Sequence, residues 1–93
     1  MTAKRTDRNQ RDIVKALRAA GATVLHIFSV GHGSPDLIVG KNGINYMIEI
    51  KMPGCGLTGD EEEFHLYWNG RIHTVYSVAD ALKVIEEERW KKN

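Results

Sequence analysis

Apolar positions along the chain follow two different periods. Near the start, Ile13, Val14 and Leu17 recur at helical spacing in a polar stretch, which predicts a helix over Thr6–Ala20. Thr6 is its expected N-cap, and Gly21 suits the position just past its end. The β-branched run Thr23–Val30 predicts a strand, followed by the loop Gly31-His32-Gly33-Ser34-Pro35. Two further strands are predicted over Asp36–Val39 and Ile44–Lys51. The Asn42-Gly43 pair between them is a strong signal for a hairpin closed by a two-residue type I′ turn. Met52–Gly56 reads as a flexible loop. A second helix is expected over Asp60–Trp68, with Thr58 and Glu61 spaced as a capping box and Gly70 beyond its end. Ile72–Tyr76 is a fourth short strand. Ser77 and Asp80 open a last helix with the stripe Ala81, Leu82 and Ile85. The order α-β-β-β-α-β-α predicts an α/β fold, a small mixed β-sheet flanked by helices.

A chain of 93 residues has room for one core, so residues 1–93 are read as a single domain. No apolar run approaches the roughly 18 residues that span a bilayer. The polar, charged start from Met1 to Arg11 does not fit the apolar core of a signal peptide. The lone Cys55 allows no internal disulfide and no cysteine-rich metal site. The expectation is a cytoplasmic protein with no membrane partner. The net charge of +1 hides an asymmetry. Residues 1–20 carry Lys4, Arg5, Arg8, Arg11, Lys15 and Arg18 against Asp7 and Asp12, whereas the remainder holds seven basic and ten acidic residues. A basic first helix suits a phosphate backbone, although a solvated helix face accounts for the same charges.

The hairpin carries the chemistry. With Asn42 and Gly43 in the turn, Lys41 faces Ile44, and counting back pair by pair sets Asp36 opposite Glu49. Facing carboxylates repel each other, and one pKa rises. A bound cation turns that cost into a gain, and Mg2+ takes one or two carboxylates together with waters and substrate phosphates. Alternation puts Lys51 on the same face as Glu49, diagonal to Asp36. An ammonium there can orient a metal-bound water or offset charge on a phosphate oxygen. Two carboxylates and a lysine on one face make a sensible site for hydrolysing a phosphodiester. The plainer reading is a salt-bridged, solvated sheet face.

Pro35-Asp36 followed by Glu49-Ile50-Lys51 resembles the PD-(D/E)xK nuclease signature. More of the chain agrees with one branch of that superfamily, the virus-type replication-repair nuclease (VRR-NUC) domain. The agreement runs through Asn9-Gln10 on the first helix, Gly31–Asp36, and Leu57-Thr58 ahead of Phe64-His65 and Trp68. It continues in Val75-Tyr76-Ser77-Val78 leading into Asp80-Ala81-Leu82. The resemblance is to the compact stand-alone form of phages and prophages, hence of a bacterial or phage-infected cell. It implies a restriction-endonuclease-like fold and a Mg2+- or Mn2+-dependent DNA endonuclease. Asp36 and Glu49 are then the metal ligands, joined by the backbone carbonyl of Ile50, and Lys51 positions or activates the attacking water. Asp12 is the candidate for a further acidic residue on the first helix. The stand-alone members are similar to Holliday-junction resolvases, which implies a homodimer acting on branched DNA. The chain departs from the family where the second helix usually carries a glutamine near its start. Here that stretch is Glu61-Glu62-Glu63, compatible with an added metal ligand or with repulsion of DNA. Met52 is assigned no role. The competing reading is a non-catalytic or partner-dependent DNA-binding module on the same fold.

Arg5, Arg8, Arg11 and Lys15 are the candidate DNA contacts, with Ser34 and His32 in the glycine loop as candidate phosphate contacts; loop stabilisation is the other role open to His32. Ser34 has no histidine–acid pattern that would make it a nucleophile. His65 reads as a satisfied structural histidine, a place facing the cleft being the other reading, and His26 and His73 fall in strands and read as packing or edge residues; four scattered histidines with a lone cysteine do not match zinc spacing. Phe64, Tyr67 and Trp68 read as core or dimer contacts.

Overall fold

In a computed structural model the described residues are 5–91, with side chains over residues 8–86. The elements are α1 (Arg5–Ala19), β1 (Thr23–His26), the 3-10 turn η1 (Phe28–Val30), β2 (Leu37–Lys41), β3 (Ile44–Ile50), α2 (Gly59–Tyr67), β4 (Ile72–Val75) and α3 (Val78–Lys91). The four strands lie side by side in chain order. β1, β2 and β3 are antiparallel, and β4 runs parallel to β3 after the α2 crossover. The mixed sheet and the α-β-β-β-α-β-α order are those expected.

Local chemistry explains each boundary. The α1 helix starts at Arg5, so Thr6 lies inside it and is not its N-cap. Its other end closes as a Schellman motif, in which the Gly21 N–H donates to the Arg18 carbonyl and the Ala22 N–H to the Leu17 carbonyl. The Lys41 ammonium takes up the Ala20 carbonyl at 2.6 Å. Asn42 and Gly43 have φ of 54° and 81°, the paired positive values a type I′ turn demands. The hairpin register runs from Lys41–Ile44 to Leu37–Ile48, as counted from the turn.

The first strand is shorter than expected, stopping at His26 instead of Val30. Its last ladder partner is Leu37, and the Ile27 N–H still reaches the Asp36 carbonyl at 2.9 Å. Beyond that point the Asp36 N–H turns to the Ile48 carbonyl, and the Ile27 carbonyl accepts instead from the Val30 N–H as the chain closes on itself in η1. α2 opens with both halves of the Thr58–Glu61 capping box in place. At the start of α3 the Asp80 N–H donates to Ser77 Oγ, and Asp80 Oδ2 accepts from the Tyr76 N–H.

The core is one-sided. Ile13, Val14 and Leu17 of α1 and Ala81, Val84 and Ile85 of α3 pack with Leu37, Val39, Tyr46, Ile48 and Val75 of the sheet. Side chains alternate along a strand, so Ile38, Met47 and Glu49 occupy the other sheet face. There the register aligns Leu25, Ile38, Met47 and Ile72 in one row across the four strands, with Leu25 60% exposed. α2 contributes no buried residue.

Candidate active site

Where the β2–β3 ladder runs out, side chains take over from backbone. The Asp36 N–H donates to the Ile48 carbonyl at 3.1 Å, and the Asp36 carboxylate accepts from the Ile50 N–H at 2.8 Å. Asp36 is therefore the residue that ends the ladder, one position before β2, with its carboxylate clamped to β3. The Glu49 carboxyl neighbours that of Asp36 in the cleft. Lys51, just past β3, is held in place by its N–H donating to the Val75 carbonyl at 3.0 Å.

Glu49 is only 2% exposed, the one buried charged residue among those described, and its Oε1 has no hydrogen-bond partner. Burial pushes its carboxyl up to about 8, and the neighbouring Asp36 charge adds to the effect. Lys51 opposes the rise without cancelling it. In the metal-free protein, burial and the neighbouring carboxylate therefore both favour the protonated form of Glu49.

Lys51 has its own acidic partner. Its Nζ lies 2.6 Å from Oε1 of Glu61 in the first turn of α2. Burial of Lys51 works against its charge, but the hydrogen bond and charge of Glu61 outweigh it and hold the ammonium above its usual range. Burial likewise opposes charge on Glu61. The Lys51 ammonium and the Thr58 N–H prevail and hold its carboxyl below the usual range.

These groups line a cleft of about 410 Å³. Asp36, Glu49, Lys51 and Glu61 form its polar part, Phe28, Ile50 and Met52 its apolar part, and Asn9 and Gln10 of α1 one wall. Among the described residues no three His, Cys, Asp or Glu side chains gather as a metal cage. What is present is a pair of carboxyls, one with a buried oxygen left unpaired. That donor set suits a hard divalent cation that retains waters and takes its remaining oxygens from a substrate phosphate.

Several expected residues lie elsewhere. Asp12 is exposed and not in the cleft lining. Asn9 and Gln10 take that place, because they sit one helical turn before the buried Ile13 and Val14 and so share their side of α1. That phase was available from the sequence, where the family resemblance pointed to Asp12 as the acidic residue of the first helix. The Ser34 hydroxyl donates to the Ile27 carbonyl at 3.3 Å and so fastens its own loop. His32 faces a separate concavity beside Asp60 and Glu63 of α2, away from Asp36. Arg8, Arg11 and Lys15 are exposed on α1, and the Arg5 side chain lies outside the described residues. His65 is not a satisfied histidine, since its Nε2 is buried without a partner. Phe64 and Trp68 stack at 5.5 Å but form no part of the core, and Tyr67 is 76% exposed. Met52, to which sequence reasoning gave no role, lines the cleft.

A solved structure described as a VRR_NUC domain superposes on this chain with a TM-score of 0.74 at 22% identity. The match covers 90% of this chain and 97% of the other. The chain therefore has the VRR_NUC fold, a mixed sheet flanked by helices, as the sequence resemblance implies. No protein-family model matches the chain, and no curated protein matches it in sequence.

Proposed function

We propose that this protein is a metal-dependent DNA endonuclease that cuts branched DNA. The observation that carries the reading is the Glu49 carboxyl, buried against Asp36 with one oxygen unpaired, two residues from a cleft-lining lysine. A structural scaffold gains nothing from two carboxyls in that arrangement. A divalent cation, Mg2+ or Mn2+, makes sense of it. Asp36, Glu49 and the Ile50 carbonyl would hold the cation. When bound, the cation supplies a Lewis acid for the phosphate and lowers the pKa of water. Lys51 donates from its ammonium to the attacking water or a non-bridging phosphate oxygen, offsetting the charge that builds there. Asn9 and Gln10 offer neutral amide donors to the strand entering the cleft.

The basic face of α1 supports DNA as the partner. Arg11, Lys15 and Arg18 line a groove of about 510 Å³ with Val14 and His26, and Gln10 borders both this groove and the cleft. A strand leaving the cleft past Gln10 meets three cations spaced along one side of α1. Exposed apolar residues support a homodimer, since Leu25, Phe28, Val30, Leu66 and Tyr67 are 60–76% exposed. Two copies would present two sites to the two strands of a symmetric junction.

The test is cleavage of labelled four-way junction, splayed-arm, flap and linear duplex DNA with Mg2+, Mn2+ or EDTA. The expected result is metal-dependent cutting of the branched substrates. Asp36→Asn and Lys51→Ala should abolish it and leave folding and DNA binding intact. A folded protein that binds junctions and cuts none supports the other reading, a DNA-binding module. The acidic run Glu61-Glu62-Glu63, where the family usually carries a glutamine, favours that second reading.

A further inference from the structure

We propose that Glu61 is a positioning residue for Lys51, fixing its ammonium at the reacting phosphate. The proposal rests on the nuclease reading and assigns a role to the acidic start of α2. Glu61 Oε1 lies 2.6 Å from Lys51 Nζ, and the two side chains are only 18% and 16% exposed. The same oxygen accepts the Thr58 N–H at 2.8 Å, and the Glu61 N–H donates to Thr58 Oγ1 at 3.3 Å. Glu61 is therefore a fixed anchor, its carboxylate held by the backbone N–H of residue 58, which any non-proline residue there supplies.

Its neighbours behave differently. Glu62 and Glu63 are exposed, and Glu63 lines the concavity beside His32 instead of the cleft. α2 buries no residue, so core packing does not explain where its first turn sits. Two contacts do. One is the Lys51–Glu61 pair. The other is at Gly33, whose φ is +79° and where a Cβ would collide with the Asp60 carbonyl. A lysine has a long, flexible stem, and an untethered tip samples many positions. An anchored tip starts from the geometry that the reaction needs. Glu61 Oε1 already accepts from two donors, which fits an anchor better than a metal ligand.

The test compares native protein with Glu61→Ala, Glu61→Gln and Thr58→Ala. Glutamine keeps the capping box and still accepts from the lysine. Glu61→Ala is expected to lower kcat by at least about tenfold, with KM for DNA changed by less than about threefold. Glu61→Gln should recover most of that loss. Thr58→Ala, which weakens the cap without removing the anchor, should lower Tm and leave kcat within about threefold of native. A readout independent of cleavage is acetylation of lysines in metal-free protein, followed by mass spectrometry. Lys51 should be modified several-fold faster in Glu61→Ala than in native protein, with exposed Lys15 and Lys83 unchanged. Unchanged or raised kcat in Glu61→Ala, a loss confined to KM, an equal kcat loss in Thr58→Ala, or unaltered Lys51 labelling would each overturn the proposal. If the native protein cuts no DNA, the nuclease reading fails, and labelling still shows whether Glu61 holds the lysine.

Discussion

Glu49 carries a stability cost that depends on pH. Its carboxyl titrates near 4.5 in the unfolded chain and near 8 in the folded one. Between those values the folded state binds the extra proton, so metal-free stability falls as pH rises through the window. For one proton the slope is at most about 1.4 kcal/mol per pH unit. The other shifted groups act outside it: Lys51 is raised from an already high value, and Glu61 is lowered and loses its contribution in acid. Asp36, Glu61 and Lys51 are the charges that act on Glu49. Urea unfolding in EDTA across this window should show the decline. Glu49→Gln, which cannot ionise, should flatten it and be more stable than native protein at pH 8. Added Mn2+ should also flatten it in native protein and leave the already flat Glu49→Gln profile unchanged. A pH-independent native protein, or a slope that survives in Glu49→Gln, would remove the protonated-carboxyl account.

Among the elements, the β2–β3 hairpin is the part most legible in sequence. Its turn is specified by two adjacent residues, and the register follows from the turn, so the Asp36–Glu49–Lys51 grouping could be counted without a structure. Features set by distant parts of the chain were not legible. β1 stops at His26 because the Asp36 N–H goes to the Ile48 carbonyl and the Ile27 carbonyl is taken up by Val30 and Ser34 of its own loop. The Glu61–Lys51 pair joins residues on two elements across a glycine-rich loop that no periodicity constrains. α2 is the element most dependent on such contacts. With no buried side chain it should open locally before the sheet does. Gly33→Ala places a Cβ at positive φ against the Asp60 carbonyl, at a cost of about 1–3 kcal/mol. Hydrogen exchange should show faster exchange in α2 with β3 still protected. Equal loss of protection across the sheet would mean that α2 is integral to the core.

At the scale of the whole molecule, the proposed function puts chemistry and affinity on different surfaces. The cleft holds the carboxyls at the end of the hairpin, and the groove on α1 holds Arg11, Lys15 and Arg18, with Gln10 bordering both. The chain's near-neutral total hides this division, because residues 1–20 carry an excess of basic charge and the remainder an excess of acidic charge. Salt should expose it. Each cation that neutralises a duplex phosphate contributes about 0.9 to the slope of log affinity against log salt. Replacing Arg11, Lys15 and Arg18 together with glutamine should therefore reduce that slope by about 0.9 for each phosphate left without its cation, read by fluorescence anisotropy in EDTA. Asp36→Asn should keep the native slope, since its carboxylate is clamped to the Ile50 N–H and lies outside the groove. A slope unchanged in the triple variant would move the phosphate-binding cations off α1, and with them the path proposed for the strand leaving the cleft.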